Sequence, residues 1–386
     1  MRHKKITALF FRAELWGGGA EKVTLDICRY LDKSRFNPVI WYAHQNDAAA
    51  WNMFRGIILE SPLLPNTLRL PPRQTPERFN FYAGLLTERL KQLEAPTVLI
   101  PASEGIFPAL AQALENSGRR GVPCIVQSHA YNSYLLPIIY SPQQIDLFTR
   151  LCREANFVTS PSQGCRDDLC RNFASPKEST LHIPNPVDFE LIEAMAARPC
   201  ERPLPEAAKN KHLFLCMARY AEQKNHALLL RACTFLREKN PEFYLLCVGE
   251  GSLRGELQVD IENLGLTKHI SLFGAVENPF PYYSLAQTHV LASVWESFGL
   301  VLVEALACAC PCIATNTLGS QDVLNNGRGG IITPQNDPEA LAQAMLCAME
   351  QPDAMREKRS RAQEWIKLYD IKKIVPQWEN LIESCF

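Results

Sequence analysis

Short apolar segments alternate with amphipathic helical segments along almost the whole chain, and this alternation constrains the fold most strongly. It begins with a predicted strand at Lys5–Phe11, a glycine turn at Gly17–Gly19 and a predicted helix in which Val23 and Ile27 share one face. Further strands are predicted at 38–43, 97–101, 123–128 and 155–160, with helices at 77–93 and 107–114. Strands that alternate with helices form doubly wound parallel sheets, in which ligands bind beyond the carboxyl ends of the strands.

A segment rich in proline and charge interrupts the alternation at residues 196–211, and we interpret it as a linker or surface loop. A second strand–helix series follows it, and an amphipathic segment at 370–385 comes last. A chain of 386 residues suits two domains, at roughly 150 residues each. The predicted fold class is therefore α/β, with two Rossmann-like, doubly wound domains.

Composition narrows the possible functions. Forty Lys and Arg residues balance 41 Asp and Glu residues, which argues against a dedicated nucleic-acid-binding protein. Of the 14 cysteines, those in apolar segments, such as Cys124, Cys216, Cys247 and Cys312, are expected to be buried free thiols. The apolar stretch before Arg12 is too short for a signal peptide, and no apolar segment is long enough to span a membrane. A cytoplasmic location is therefore expected.

The segment from Glu296 to Glu304 has the strongest functional pattern. A predicted strand leads into a short turn and then a helix, and Ser297 is placed to cap that helix. The amide groups and the positive dipole at a helix N-terminus attract anions such as a diphosphate. The two glutamates lie at different depths along this end of the helix, where one can hold sugar hydroxyls and the other a ribose. Spacing alone also allows two ordinary helix-end glutamates.

Glu296 and Glu304, with seven residues between them, resemble the E-x7-E motif of retaining glycosyltransferases of the GT-B fold, the GT4-like group. The resemblance extends along nearly the whole chain, and the order and spacing of five further motifs make it specific. These motifs are Gly17–Val23, similar to the G-G-A-E loop; Pro184–Asp188, similar to P-N-G-V-D with Pro186 in place of glycine; Ala218–Lys224, similar to the donor-phosphate motif; Gly249–Gly251, similar to the G-x-G turn; and Asn278–Tyr283, similar to the segment before the E-x7-E strand.

This resemblance implies an architecture and an activity. The two domains would face a cleft, with an acceptor-side domain at 1–192 plus 368–386 and a nucleotide-sugar-binding domain at 193–367. The activity would be a retaining, metal-independent transfer that needs no cofactor. A hexose or N-acetylhexosamine would pass from a nucleotide sugar, with UDP favoured, to a glycan or lipid-linked acceptor in cell-surface polysaccharide or lipopolysaccharide synthesis.

The resemblance also assigns roles to individual residues. Arg219 and Lys224 would stabilise the departing diphosphate, Glu296 and His129 would hold the sugar, and Glu304 would hold the ribose. The implied catalytic residues are Arg219, Lys224, Glu296 and His129. The acceptor proton would pass to the leaving phosphate oxygen. The implied donor-binding residues are Gly17, Gly18, Gly19, Arg219, Lys224, Gly249, Gly251, Glu296, Ser297, Phe298, Gly299, Leu300 and Glu304.

Some of these residues also have a purely structural interpretation. Arg219 and Lys224 can be solvated surface charges, and His129, which follows a predicted strand, can be a structural histidine. Gly249 and Gly251 miss the dinucleotide-binding spacing and are interpreted as a turn that lets a nucleotide approach. Glu104 can touch the acceptor, but we favour a role as a helix cap.

The cysteines that follow Glu304 are not predicted to bind a metal ion. Three cysteines at 308, 310 and 312 lack partner ligands at zinc spacing, so no metal site is predicted. Ala309 replaces the glycine that is usual after this helix, which concerns the helix end and not catalysis.

Basic residues at the N-terminus (Arg2, His3, Lys4 and Lys5) and in the first domain (Arg69, Arg73 and Arg78) can attract anionic lipid, so peripheral contact with the inner face of the cytoplasmic membrane is a hypothesis. Aromatic residues in the helix at 77–93 either bury in the core, which we favour, or lie on a membrane.

Two other functional classes stay open. One is a non-catalytic, glycosyltransferase-like partner subunit, which would be expected to lose a glutamate or the Arg219–Lys224 pair. The other is a nucleotide-sugar epimerase of similar fold, against which the spacing of the two glutamates argues, although a fold does not fix a function.

Overall fold

The computed structural model describes residues 4–15, 18–45, 58–60 and 75–386. The chain divides into two compact units, Met1–Pro186 with Ile371–Phe386, and Val187–Asp370. The sequence placed these boundaries at 192/193 and 367/368. In the structure the second unit begins earlier, because Val187 and Ile192 are buried in its core. The proline-rich segment 196–211 therefore lies inside the second unit, where it leads into a strand.

The first unit contains parallel strands flanked by helices. Its strands are β1 (Ile6–Leu15), β2 (Phe36–Gln45), β3 (Ile58–Glu60), β4 (Thr97–Pro101), β5 (Ile125–Gln127), β6 (Phe157–Ser160) and β7 (Thr180–His182). Its helices that precede the second unit in sequence are α1 (Gly19–Tyr30), α2 (Pro76–Lys91), α3 (Phe107–Asn116), α4 (Asn132–Ile139), α5 (Pro142–Glu154) and α6 (Gln163–Asn172). The strand orders are β3-β2-β1-β4 and β5-β6-β7, and a parallel bridge between Leu99 and Cys124 joins them. The order reverses between β1 and β4, which is where ligands bind in such sheets.

Helix α2 packs its aromatic residues into the first unit, as favoured from the sequence. Tyr82 and Leu86 are buried in the core, and Phe79 and Phe81 pack against it. The suggestion that Arg78 attracts lipid was wrong, because this side chain is buried with its guanidinium over the Tyr82 ring. Arg2, His3, Arg69 and Arg73 lie outside the described residues.

The second unit repeats the same architecture. Its strands are β8 (His212–Met217), β9 (Phe243–Val248), β10 (Ile270–Gly274), β11 (Thr288–Leu291), β12 (Cys312–Thr315) and β13 (Ile331–Thr333). Its helices are α7 (Phe189–Ala196), α8 (His226–Lys239), α9 (Arg254–Asn263), α10 (Phe280–Leu285), α11 (Leu300–Ala307), α12 (Leu318–Val323), α13 (Pro338–Glu350) and α14 (Pro352–Ile366). The six-stranded sheet has the order β10-β9-β8-β11-β12-β13 and is parallel throughout. Its order reverses between β8 and β11, so the residues after these two strands meet at the switch point.

The last helix, α15 (Ile371–Glu383), belongs to the first unit, although it follows the second unit in sequence. Trp378 and Ile374 are buried, and Arg35 pairs with Glu379 and Glu383. The predicted amphipathic segment is thus a helix whose apolar face is covered within the first unit.

The expected burial of the cysteines is confirmed for Cys124, Cys216, Cys247 and Cys312, which are free and buried. Within the described ranges, no helix is both long enough and apolar enough to cross a membrane.

Candidate active site

The switch point of the second unit brings together residues from two loops. Arg219 and Lys224 follow β8, and Glu296 follows β11. Arg219 is exposed, whereas Glu296 is buried and Lys224 is largely covered. Two cationic side chains and a carboxylate therefore follow the two strands at which the sheet order reverses.

Lys224 and Glu296 form an ion pair within the second unit. The Nζ atom of Lys224 lies 2.5 Å from Oε1 of Glu296, and the Ser293 hydroxyl donates to the same oxygen at 2.7 Å. The side chains are only 15% and 9% exposed, so solvent screens this pair weakly. Within the described chain, Oε2 of Glu296 has no hydrogen-bond partner, which leaves this oxygen able to accept from a ligand hydroxyl.

Two glycines after β9 allow the loop after β8 to approach closely. Gly249 has a φ of +151°, and a Cβ atom there would lie 2.0 Å from the carbonyl oxygen of Ala218. A Cβ atom at Gly251 would lie 2.3 Å from the carbonyl oxygen of Tyr220. The Tyr220 amide donates to Glu250 at 3.0 Å, so the two loops are paired around Arg219. These positions therefore require glycine for packing, whether or not a nucleotide approaches them.

The loop that carries Glu296 is held at four successive carbonyl groups. The donors are Thr315 Oγ1 to Ser293 O at 2.6 Å, Gln335 Nε2 to Val294 O at 2.7 Å, Gln223 Nε2 to Trp295 O at 3.0 Å, and Gly319 N to Glu296 O at 2.9 Å. Hydrogen bonds are directional, so donors from separate elements fix the orientation of each peptide group. The loop is therefore preorganised before any ligand binds.

Helix α11 begins later than the sequence suggested. The prediction that Ser297 is the cap of this helix was wrong, because the N-cap residue is Gly299. Gly299 adopts a left-handed conformation with φ +87°, and this turn separates Ser297 from the first helical residue, Leu300. Glu304 is a buried residue within the helix.

The Phe298 side chain lies in the core of the second unit. It is 2% exposed and packs edge-to-face on Tyr369, with ring centroids 5.1 Å apart. Its backbone packs tightly against Gly319, where a Cβ atom would lie 2.5 Å from Phe298 main-chain atoms. The Phe298 side chain therefore contributes to the core of the second unit.

The corresponding position in the first unit holds a buried ion pair. The Arg12 guanidinium at Nη2 lies 2.8 Å from Oε1 of Glu21, and its Nη1 donates to the Ala102 carbonyl at 2.6 Å. The other carboxylate oxygen of Glu21 accepts from the Gly18 amide at 3.0 Å, which closes the start of α1. Gly18 is the N-cap and Gly19 is the first helical residue, whereas Gly17 lies outside the described residues. The Gly18–Gly19 turn is thus fixed from within the first unit.

His129 and Glu104 lie together near this position. The prediction that Glu104 caps a helix was wrong, because the N-cap of α3 is Ile106 and no side chain caps it. The Glu104 carboxylate instead accepts from the His129 amide at 2.7 Å. Burial raises the pKa of Glu104. Burial, with a smaller contribution from the positive charge of Arg12, lowers the pKa of His129 to about 3, so the imidazole is neutral near pH 7.

Sequence reasoning missed several residues that shape these sites. The Ser293 hydroxyl donates to the Glu296 carboxylate, and Gln223 binds the Glu296 loop. Gly319 packs against the Phe298 main chain, and the Arg12–Glu21 pair supports the glycine turn. A basic residue at the end of an apolar strand was the one available signal, at Arg12, since a charge buried in a sheet needs a partner. The contacts of Gly319 with Phe298 depend on the tertiary fold and leave no local pattern.

The described residues contain no cluster of three or more His, Cys, Asp or Glu side chains arranged to hold a metal ion. Arg219 and Lys224 are cationic side chains at the second switch point. Fixed cations at such a point can neutralise the charge of a bound diphosphate, and a carboxylate oxygen can accept from hydroxyl groups.

The two Rossmann-like units define a two-domain α/β protein, and comparison with known proteins identifies the family. The family described as Glycosyl transferases group 1 matches residues 199–365, and Glycosyltransferase Family 4 matches residues 17–191. The chain belongs to the GT4-like glycosyltransferases of the GT-B fold. The individual site residues, including the E-x7-E assignment, stay predictions.

Similar proteins are known from both sequence and structure. An uncharacterized glycosyltransferase of Methanocaldococcus jannaschii is 25% identical over 64% of this chain and 68% of its own length. The N-acetylgalactosamine-N,N'-diacetylbacillosaminyl-diphospho-undecaprenol 4-alpha-N-acetylgalactosaminyltransferase of Campylobacter jejuni is 29% identical over 59% of this chain and 60% of its own length. The crystal structure of Anabaena HepE with UDP and glucose has a TM-score of 0.77 at 18% identity and covers 98% of this chain and 99% of that one. The structural similarity supports the GT-B fold.

Proposed function

We propose that this glycosyltransferase transfers a hexose or N-acetylhexosamine from a UDP-sugar to a glycan or lipid-linked acceptor, with retention of the anomeric configuration and without a metal ion. The observation that carries the proposal is the Lys224–Glu296 pair at the switch point of the second unit, beside the loop of Arg219. In a glycosyltransferase, cations and a carboxylate at this point can bind the diphosphate and the sugar hydroxyls of a nucleotide sugar.

The cations act on the leaving group. As the bond between the anomeric carbon and the phosphate oxygen breaks, negative charge grows on the diphosphate, and Arg219 and Lys224 stabilise it. Lys224 is held in place by Glu296 before the donor binds, so little reorganisation is needed during the reaction. Arg219 is exposed and has no described partner, so it is available to the diphosphate.

Glu296 holds the sugar, and Glu304 holds the ribose. One oxygen of Glu296 faces Lys224 and Ser293, and the other oxygen accepts from a sugar hydroxyl. Positioning and electrostatic stabilisation supply most of the rate, and the departing phosphate oxygen takes the acceptor proton on the face from which it leaves.

His129 contributes as a neutral hydrogen-bonding group in this scheme. Burial lowers its pKa to about 3, which argues against a role as an imidazolium acid near pH 7. A neutral imidazole can still donate to or accept from a hydroxyl of the donor sugar or the acceptor.

Similar proteins support the choice of substrates. The structure of HepE contains UDP and glucose, and the Campylobacter relative is named for N-acetylgalactosamine transfer to an undecaprenol-linked acceptor. We therefore favour a UDP-sugar donor and a cell-surface glycan pathway in the cytoplasm. Contact with the inner face of the membrane belongs to the same proposal, because lipid-linked acceptors lie there.

Donor binding is the first test. Thermal unfolding of the full chain is measured with UDP, GDP, ADP and their common sugar conjugates. A ligand at a hundred times its Kd adds about 2.7 kcal/mol of stability, which is readily detected. We expect UDP and one UDP-sugar to raise the Tm. No shift with any nucleotide would contradict the proposal and favour a non-catalytic partner subunit.

Glu296→Gln tests the assignment of the sugar. Because the carboxylate is proposed to contact the sugar, the affinity for UDP-glucose should fall about tenfold or more relative to the affinity for UDP, since a hydrogen bond to a charged group contributes about 1.5–3 kcal/mol. Isothermal titration with both ligands measures this, with the exposed Glu339→Gln on α13 as the matched control. Equal losses for both ligands would contradict the assignment.

Two further measurements test the finer parts of the proposal. The anomeric configuration of the first product, determined by NMR, should match that of the donor, and an inverted product would exclude retention. Activity should persist after treatment with EDTA, and loss that Mg²⁺ or Mn²⁺ restores would overturn the metal-free mechanism.

A further inference from the structure

Gln223 joins the two loops that meet at the switch point of the second unit. Strands β8 and β11 pair at Phe214–Thr288 and Leu215–His289. Beyond these pairs, one residue of the first loop, Gln223, binds the second loop twice. Its carbonyl accepts from the Val294 amide at 2.8 Å, and its side-chain amide donates to the Trp295 carbonyl at 3.0 Å.

Gln223 is adjacent to both members of the Lys224–Glu296 ion pair. It precedes Lys224 in a short 3-10 turn (Glu222–Lys224), and its side chain holds the peptide group that precedes Glu296. The backbone contact uses the Gln223 carbonyl, which every residue type carries, so the side-chain contact can be removed separately.

The ion pair alone does not fix the direction of the carboxylate. A lysine ammonium is a compact point charge with rotatable donors, and its attraction changes little as the carboxylate turns around it. A hydrogen bond weakens steeply away from its preferred angle, so the Gln223 amide fixes the Trp295 peptide group in a way that Lys224 cannot. The orientation of that peptide group sets where the next side chain begins.

We infer that Gln223 is a positioning residue for Glu296. By holding the Trp295 carbonyl, its side-chain amide keeps the second oxygen of Glu296 directed at the sugar of the donor and not at the diphosphate beside Lys224. This inference rests on the proposed function and adds a residue to which the sequence pattern gave no role. In this scheme Lys224 contributes positive charge, and Gln223 determines the orientation of Glu296.

The experiment compares Gln223→Met with Gln335→Met. Methionine has nearly the length of glutamine but lacks its amide donor, and Gln335 donates to the neighbouring Val294 carbonyl without binding the Lys224 loop. For Gln223→Met we expect the affinity for UDP within about twofold of wild type, and UDP-glucose affinity and kcat about tenfold lower, the equivalent of about 1.4 kcal/mol. Gln335→Met should keep the wild-type ratio of the two affinities.

A double-mutant cycle distinguishes positioning from a general structural effect. If Gln223 acts through Glu296, adding Gln223→Met to Glu296→Gln should cause no further loss of UDP-glucose affinity. Additive losses, equal losses for UDP and UDP-glucose, or the same selective loss in Gln335→Met would overturn the inference. Each of these results can occur while wild type binds UDP-glucose normally, which would leave the proposed function intact. Failure of wild type to bind either UDP or UDP-glucose would overturn the proposed donor and this inference with it.

Discussion

Substitution of Gly249 by alanine should disrupt the donor site from a position that carries no charge. The added Cβ atom would lie 2.0 Å from the Ala218 carbonyl oxygen, and the backbone φ of +151° also disfavours a side chain. Ordinary contacts to a Cβ atom begin near 3.4 Å, so the loop after β8 must move by more than an ångström. Arg219 follows Ala218 directly, so this movement displaces the residue proposed to bind the diphosphate.

The expected loss has two parts. Overpacking with backbone strain costs about 1–3 kcal/mol, which lowers the Tm by about 2–4 °C per kcal/mol for a domain of this size. A displacement of 1 Å at a site of this kind costs about a hundredfold in rate. Differential scanning fluorimetry and initial-rate assays with UDP-glucose measure the two parts separately.

Gly255→Ala is the matched control for this prediction. Gly255 lies in α9, six residues further along, and a Cβ atom there would meet no atom within 4 Å. This variant should keep full activity and gain about 0.5–1 kcal/mol, because alanine favours a helix more than glycine does. If Gly249→Ala keeps kcat/KM and UDP affinity within twofold of wild type, the steric reasoning is refuted.

Two further predictions concern stability. Ala309→Gly should raise the Tm, with a gain of about 0.5–1 kcal/mol in unfolding free energy. The reason is that Ala309 is exposed and adopts a left-handed conformation (φ +64°) after α11. An unchanged or lower Tm by calorimetry would contradict this prediction. Stability should also fall as the pH drops from about 6.5 to 4, because burial lowers the pKa of His129 to about 3 and those of His212 and His289 to about 4, so the unfolded chain binds more protons in this range. Glu104, whose pKa burial raises, acts in the opposite direction, and a Tm that rises on acidification would show that its effect dominates.

The sequence predicted the architecture well where periodicity decides the structure. The apolar alternation placed β4 at the residues where the structure has it, and it placed the ends of α2 and α3 to within two residues. The unit boundary was harder to predict, because prolines and charges at 196–211 suggest a linker. Burial of Ile192 against the second core, which is a tertiary contact, draws α7 into the second unit instead.

The candidate site was predictable in its residue types and less so in its geometry. The spacing between Glu296 and Glu304 identified the loop, but Lys224 and Glu296 are 72 residues apart, and no local pattern pairs them. The error at Ser297 has a local cause, since serine is a common N-cap and the left-handed turn at Gly299 displaces the start of the helix. The four held carbonyls depend on donors from separate elements, so only the folded structure reveals them.

The two units contain ion pairs at comparable points, and the further partners of each pair suggest different roles. Arg12 and Glu21 are 4% and 10% exposed, and the guanidinium is further engaged by the Thr24 hydroxyl and the Ala102 carbonyl. Such an enclosed pair has few groups left for a ligand, and removing one partner of a buried pair costs about 3–5 kcal/mol, so it serves the fold. Lys224 keeps a more open ammonium group, and Glu296 keeps an oxygen with no described partner. A pair that is held but still accessible can exchange part of its mutual attraction for contacts with a charged ligand, and we therefore expect the donor to bind at the second unit.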